Sequence, residues 1–152
     1  MDMIKFFKKL LITLTILAFL TWLYTNSLLG VEKQAKDYYA ELKTALKAEG
    51  YRTDMFVLSG KRWKPDNWFL SKFGGAVSSS KHLDGQAIDV VVLDVNEDGK
   101  ADATDVDIVY RILDESIIGD LGGIGTYKRN NDFFSQQMVH FDCRGKRARW
   151  HR

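Results

Sequence analysis

Ser80-Lys81-His82-Leu83-Asp84-Gly85-Gln86-Ala87-Ile88-Asp89 runs directly into Val90-Val91-Val92-Leu93. From Ala87 to Leu93 the run is apolar except for Asp89, and β-branched residues dominate it, so it reads as a mostly buried strand. Asp89 is the exception, expected to turn out of the core into a site. His82 falls in the loop that precedes the strand. Seven residues separate the imidazole from the carboxylate, enough for the loop to fold back so that both side chains converge. Gly85 permits the turn this requires, and Ala87 keeps the space beside it small.

A second cluster, Val139-His140-Phe141-Asp142, lies near the C-terminus on a segment that also reads as a strand, Gln137 to Cys143. His82, Asp89 and His140 together supply two imidazoles and a carboxylate. That is the ligand set of an open catalytic zinc site, in which three side chains hold the metal at about 2.0–2.2 Å and water takes the fourth position. Asp142 is two residues from His140 and therefore shares its face of the strand. Two roles are open to it: general base, or partner that orients an imidazole N–H. His151 reads as a surface residue, with proton shuttling as the lesser alternative. Cys143 is the only cysteine, so no internal disulfide is possible; it reads as a small core residue, since on a strand it faces away from His140.

Further signals extend the pattern. Ser80, His82, Gly85, Ala87 and Asp89 satisfy Ser-x-His-x-x-Gly-x-Ala-x-Asp, and Ser59-Gly60-Lys61-Arg62 satisfies Ser-Gly-x-Arg. Gly122-Gly123-Ile124-Gly125-Thr126-Tyr127, His140-Phe141-Asp142 and Arg147-Ala148-Arg149-Trp150 follow in order. Over residues 55–150 the chain resembles the zinc D-Ala-D-Ala carboxypeptidase and dipeptidase family, whose fold is shared with the hedgehog signalling domain. The resemblance implies Zn2+ on His82, Asp89 and His140, with Arg62 binding the substrate carboxylate or carbonyl oxygen through its planar fork of donors. It implies hydrolysis of peptide bonds in peptidoglycan stem peptides or cross-links, of the D,D-carboxypeptidase or endopeptidase type. One departure stands out. Many members of that family carry Glu or Asp three residues before the last histidine; Gln137 stands there in this chain and cannot accept a proton usefully near neutral pH. Asp142 is the substitute expected if a carboxylate acts as base, with the orienting role still open to it. The alternative is a non-catalytic zinc-containing module that binds cell wall or a partner.

At the N-terminus, Lys5, Lys8 and Lys9 precede an uncharged run from Leu10 to Leu29. Its length, about 20 residues, suits a membrane-spanning helix. The flanking lysines predict a cytoplasmic N-terminus and a domain outside the cytoplasm, and Trp22 and Tyr24 suit an interfacial aromatic belt. The rival is a cleaved signal segment and a secreted domain, although the stretch around Tyr24–Gly30 offers no clear small-x-small cleavage site. Residues 1–30 are thus an anchor or signal segment, and 31–152 the zinc peptidase-like domain.

Within that domain, helices are expected over Val31–Glu49, Pro65–Phe73 (stopped by Gly74-Gly75) and Thr104–Ile118, and strands over Met55–Leu58, Ala87–Leu93 and Gln137–Cys143. Gly122–Tyr127 reads as a turn leading into a strand. Without βαβ alternation, this composes an α+β fold with a small, mainly antiparallel sheet and flanking helices. Asp94, Asn96, Asp98, Lys100, Asp102 and Asp105 occupy positions 1, 3, 5, 7, 9 and 12 of an EF-hand-like spacing, with Gly99 at position 6. The wording resembles a dockerin calcium loop, so residues 94–105 are expected to form a Ca2+ loop inserted in the domain; the alternative is an acidic turn with Thr104 or Asp105 as helix N-cap. A net charge of +2 and the absence of a long basic run beyond the N-terminal segment argue against nucleic acid as a partner.

Overall fold

The computed structural model of the protein describes residues 3–73, 79–128 and 137–152. Among the described residues, six helical or turn segments alternate irregularly with five strands. They run α1 (Met3–Thr25), α2 (Lys33–Ala48), β1 (Met55–Ser59), α3 (Lys64–Phe73), β2 (Ala87–Val92), α4 (Ala103–Ile112), β3 (Gly123–Tyr127), β4 (Met138–Asp142) and β5 (Ala148–His151), with a π-helical stretch Leu113–Ile118 and a 3-10 turn Gly119–Leu121 after α4. The strands form one sheet in the order β1-β2-β4-β3-β5. Every neighbouring pair is antiparallel except β3 and β5, which run parallel. The fold is α+β with a mainly antiparallel sheet, as the sequence predicts.

Period-two alternation divides the sheet into a core face and a site face. Ile88, Val90 and Val92 of β2, Val139 and Phe141 of β4, and Ile124 of β3 point to one side and are buried. Against them pack Ala35, Tyr38, Tyr39, Leu42 and Leu46 of α2 and Val106, Val109 and Ile112 of α4. Both helices place these residues at three- and four-residue spacing, so each lays one apolar stripe on the sheet. Phe141, fully buried, stacks on Tyr39 at 6.5 Å between ring centroids. The opposite face carries Asp89, His140, Asp142 and Trp150. Asp89 pairs with His140 across β2 and β4, and Gly125 with both His140 and Trp150, so the register alone brings these residues together.

Three elements differ from the sequence expectation. The helix predicted over Thr104–Ile118 stays α-helical to Ile112 and then widens into the π-helical stretch. The glycine-rich run Gly123–Tyr127 is itself a strand, not a turn before one. Gln137–Cys143 is not the last strand: β5 follows it and docks in parallel on β3. Gly74-Gly75, expected to stop α3, lies outside the described residues.

α1 is apolar along its length, and Phe6–Thr25 is long and apolar enough to cross a membrane, a property that signal sequences share. Its side chains are largely exposed from Met3 through Leu23. Its end is not loose. Thr25 O accepts the Gly60 N–H at 2.6 Å, Tyr24 meets Trp63 edge-on at 5.9 Å, and the Glu32 N–H donates to Gly85 O at 2.8 Å.

In the 94–105 loop, Asp105 is fully buried and satisfies backbone donors. Its Oδ1 accepts from Val95 N at 2.8 Å and Asn96 N at 3.2 Å, and its Oδ2 from Asp102 N at 2.8 Å. Asp102 in turn accepts the Thr104 N–H at 2.7 Å, which makes the two aspartates a reciprocal capping box for α4. The N-cap is therefore Asp102, two to three residues before those expected to cap. Asp94, Asn96 and Asp98 likewise accept backbone N–H groups within the loop.

Candidate metal centre

His82, Asp89 and His140 meet on the site face. One ligand atom from each lies within 4.8 Å of the others, and all three residues are buried. The His82 Nε2 is 3.2 Å from His140 Nδ1 and 3.1 Å from Asp89 Oδ2, and His140 Nδ1 is 2.7 Å from Asp89 Oδ1. These separations approach the edge of a tetrahedron with zinc-like bonds, roughly 3.3 Å. The opposite nitrogens are spoken for. His82 Nδ1 donates to Gly60 O at 2.6 Å, and His140 Nε2 donates to Asp142 Oδ2 at 3.1 Å. Each of these acceptors fixes a tautomer and aims the remaining lone pair inward, the arrangement that ligating histidines have. The donor set therefore fits a divalent transition metal.

Arg62 and Asp142 stand behind this trio in different ways. Arg62 Nη2 bonds Asp89 Oδ2 at 2.5 Å and Nε donates to Ser59 Oγ at 2.8 Å, so the guanidinium holds the carboxylate while still bordering the cavity. Asp142 is fully buried; besides His140 it accepts from Gly123 N at 3.1 Å and from Arg144 Nε at 2.7 Å and Nη2 at 2.5 Å. The carboxylate meets the imidazole nitrogen that faces away from His82 and Asp89, a placement that suits the orienting role, one of the two the sequence left open.

The electrostatics follow from these pairs. Burial works against the charge on Asp89, yet His82 and His140 hold its carboxyl well below the usual range. Burial pushes the His82 ring down. It acts the same way on His140, where hydrogen bonds to Asp142 and Asp89 outweigh it and lift the ring above its ordinary value. Asp142 is likewise kept low by His140 and Arg144 against the effect of its burial.

A cavity of about 650 Å³ opens over the trio, walled by Tyr127, Arg144 and Trp150. Trp150 lies across Gly125: a Cβ there would fall 2.2 Å from the indole ring atoms, so only glycine lets the ring lie against β3. The indole meets the His140 ring at 5.2 Å, and its N–H donates to Tyr127 Oη at 3.2 Å. Among the described lining residues Asp89 is the one carboxylate, against Arg62, Lys81, Arg144, Lys146 and Arg152. That balance favours an anionic ligand.

Sequence reasoning brought the trio together but missed Arg144, whose signal was its spacing of two from Asp142. Tyr127 and Trp150 were seen as parts of motifs without a role. His151 is on the other face, bonded to Thr126 Oγ1 at 2.8 Å and edge-on to Tyr110. Asp94, Asn96, Asp98, Lys100, Asp102 and Asp105 lie together in the loop before α4 and in its first turn, apart from this trio; among the described residues the one trio of closely gathered His, Cys, Asp or Glu ligand atoms is His82, Asp89 and His140. No family model, curated protein or solved structure matches the chain.

Proposed function

We propose that the chain is a membrane-anchored, zinc-dependent peptidase of the hedgehog/D-Ala-D-Ala-peptidase type, acting on peptidoglycan stem peptides or cross-links. The observation that carries it is the buried His82–Asp89–His140 group with its inward lone pairs at the floor of an open cavity. Zinc, when bound, polarises a carbonyl and acidifies water. The chain's own residues do the rest. His82 and His140 are locked by Gly60 O and Asp142, and Arg62 holds the Asp89 carboxylate in place through its Nη2 hydrogen bond. The cationic wall, with Arg144 beside Trp150, receives a substrate carboxylate.

The apolar helix is read as a retained anchor because the residues that follow it are built into the domain. Gly60 and Gly85 both hydrogen-bond to the segment between Thr25 and Glu32, and cleavage there would undo those contacts.

The second reading, a zinc-containing binding module without turnover, has its own observation. Gln137 stands where a carboxylate is expected, and Asp142 is sealed behind His140, so the described cavity offers no carboxylate outside the ligand set. One experiment separates them: zinc analysis of the purified protein, with mass spectrometry of muropeptides incubated with it and with His82→Ala. Stoichiometric zinc and peptide release lost in the variant support the peptidase. Zinc with binding to sacculi but no release supports the module, and absence of zinc rejects both.

A further inference from the structure

α3 carries its polarity inside out. Its exposed positions are Lys64, Pro65, Trp68, Phe69 and Lys72, spaced i, i+1, i+4, i+5 and i+8, which is one face of a helix. The inward face holds Asn67, buried, with Asp66, Leu70 and Ser71 half-buried. A helix on the surface of a water-soluble domain shows the opposite distribution. Trp68 is 61% exposed, Phe69 57%, and Trp63, just before the helix, 57%. Large aromatic rings between two lysines are the composition of an interfacial element: rings settle at headgroup depth and ammonium groups reach anionic phosphates.

Position decides what covers this face. Trp63 packs edge-on against Tyr24 in the last turn of α1, and the Gly60 N–H is bonded to Thr25 O. The aromatic stripe therefore begins where the apolar helix ends, at the depth where hydrocarbon gives way to headgroups. We infer that the Trp68–Phe69 face of α3 lies in the headgroup layer of the bilayer that holds α1, giving the domain two membrane contacts instead of one tether. This rests on the reading of α1 as an anchor. Its consequence is a fixed pose for the metal centre. Gly60 bonds the end of α1 through its N–H and His82 through its carbonyl, and the Arg62 N–H bonds His82 O at 2.9 Å. A domain held at both places presents its cavity to the membrane at one angle and selects substrate close to the bilayer.

The test uses the full chain in vesicles of phosphatidylcholine and phosphatidylglycerol whose acyl chains carry bromine at a shallow or a deep position. The chain has four tryptophans, Trp22, Trp63, Trp68 and Trp150, and single-tryptophan versions are made by changing the others to Phe. Trp22 reports on α1 and Trp150 on the cavity. The expected result is that Trp68 loses most of its emission to shallow bromine and less to deep bromine, while Trp150 is unaffected. Quenching of Trp22 with Trp68 unquenched and emitting as in water overturns the docking and leaves the anchor intact. Trp22 unquenched, with the chain free in solution, overturns the anchor itself. A single Trp68→Phe change in the otherwise unaltered chain repeats the measurement without multiple substitutions: the shallow-quenched emission must fall by the share of Trp68, leaving that of Trp63 and Trp22, and an unchanged shallow-quenched component also overturns the proposal.

Discussion

His140 and Asp142, two residues apart on β4, are joined by an Nε2–H to Oδ2 hydrogen bond of 3.1 Å, and this bond turns the other imidazole nitrogen toward Asp89 and His82. Replacing Asp142 with Asn puts an amide N–H against His140 or Arg144, both of which are donors. Zinc affinity should fall about 10- to 100-fold, the usual cost of losing a ligand's hydrogen-bonded partner. Titration with a competing chelator checks this. If peptidase activity in Asp142→Asn returns at saturating zinc, Asp142 orients; if it stays absent with the site full, Asp142 does proton transfer.

Gly85 is the joint between the metal loop and the segment after α1. Its φ of +76° is left-handed, and a Cβ would meet Gly30 O at 2.4 Å. Gly85→Ala therefore adds a clash, about 1–3 kcal/mol for overpacking, to about 1–2 kcal/mol of left-handed strain. Gly50→Ala is the control, since Gly50 has φ +85° but nothing within 4 Å of a Cβ. Chemical denaturation should show a loss for Gly85→Ala clearly larger than for Gly50→Ala, with faster proteolysis between residues 26 and 31. Equal losses would mean that the segment yields without cost.

The metal trio was legible in the sequence because register and period did the work. A histidine before β2, an aspartate within it and a histidine on β4 converge once β2 and β4 pair, and Asp89 opposite His140 is that pairing. Apolar stripes at three- and four-residue spacing made α2 and α4 readable for the same reason. β5 was not legible, because Ala148–His151 is only four residues long and, Trp150 apart, lacks the β-branched and aromatic residues that mark a strand. What fixes it is long-range: Arg149 reaches Asp114, and Trp150 needs the bare backbone of Gly125. The 94–105 spacing satisfies a calcium pattern, but it could not show that the Asp105 carboxylate also accepts the Val95, Asn96 and Asp102 N–H groups.

Asp114 ties β5 to the helical layer through Arg149, at 2.9 Å and 2.5 Å, and through Arg147. Burial alone would raise its pKa; the two guanidinium groups overcome this and lower it. A depressed carboxyl contributes stability that is complete above its unfolded pKa, about 3.9, and is lost as pH falls through the lower folded value. Asp114→Asn should cost about 1–3 kcal/mol at pH 7. The gap to the unaltered chain should narrow below about pH 4. A gap independent of pH would show that the carboxylate's charge is not what matters.

Cys143 is 8% exposed, with its thiol 3.5 Å from Gln86 O and 3.8 Å from Glu32 Oε2. Burial first, then the Glu32 charge, pushes its pKa up. At neutral pH the group is the thiol, and the thiolate is the species that reacts. Alkylation by iodoacetamide at pH 7.5 should be slow in the folded chain and fast in denaturant. Glu32→Gln, which removes the neighbouring charge, should speed the folded reaction modestly. Rapid labelling of the folded chain would contradict the burial.

Zinc should stabilise the fold through the same three side chains that assemble the sheet's site face. Binding only to the folded state adds about 2.7 kcal/mol when free zinc is 100 times its Kd. The melting temperature should therefore rise with zinc and return with chelator. His82→Ala removes one ligand and strands the Gly60 carbonyl, while Asp89→Asn keeps the shape and removes the charge that His82 and His140 share. Both variants should lose the zinc-dependent rise. Calcium should not take the place of zinc at this trio, because imidazole donors suit transition metals and oxygen cages suit calcium. A calcium-dependent rise that survives His82→Ala would locate the stabilising ion in the 94–105 loop instead.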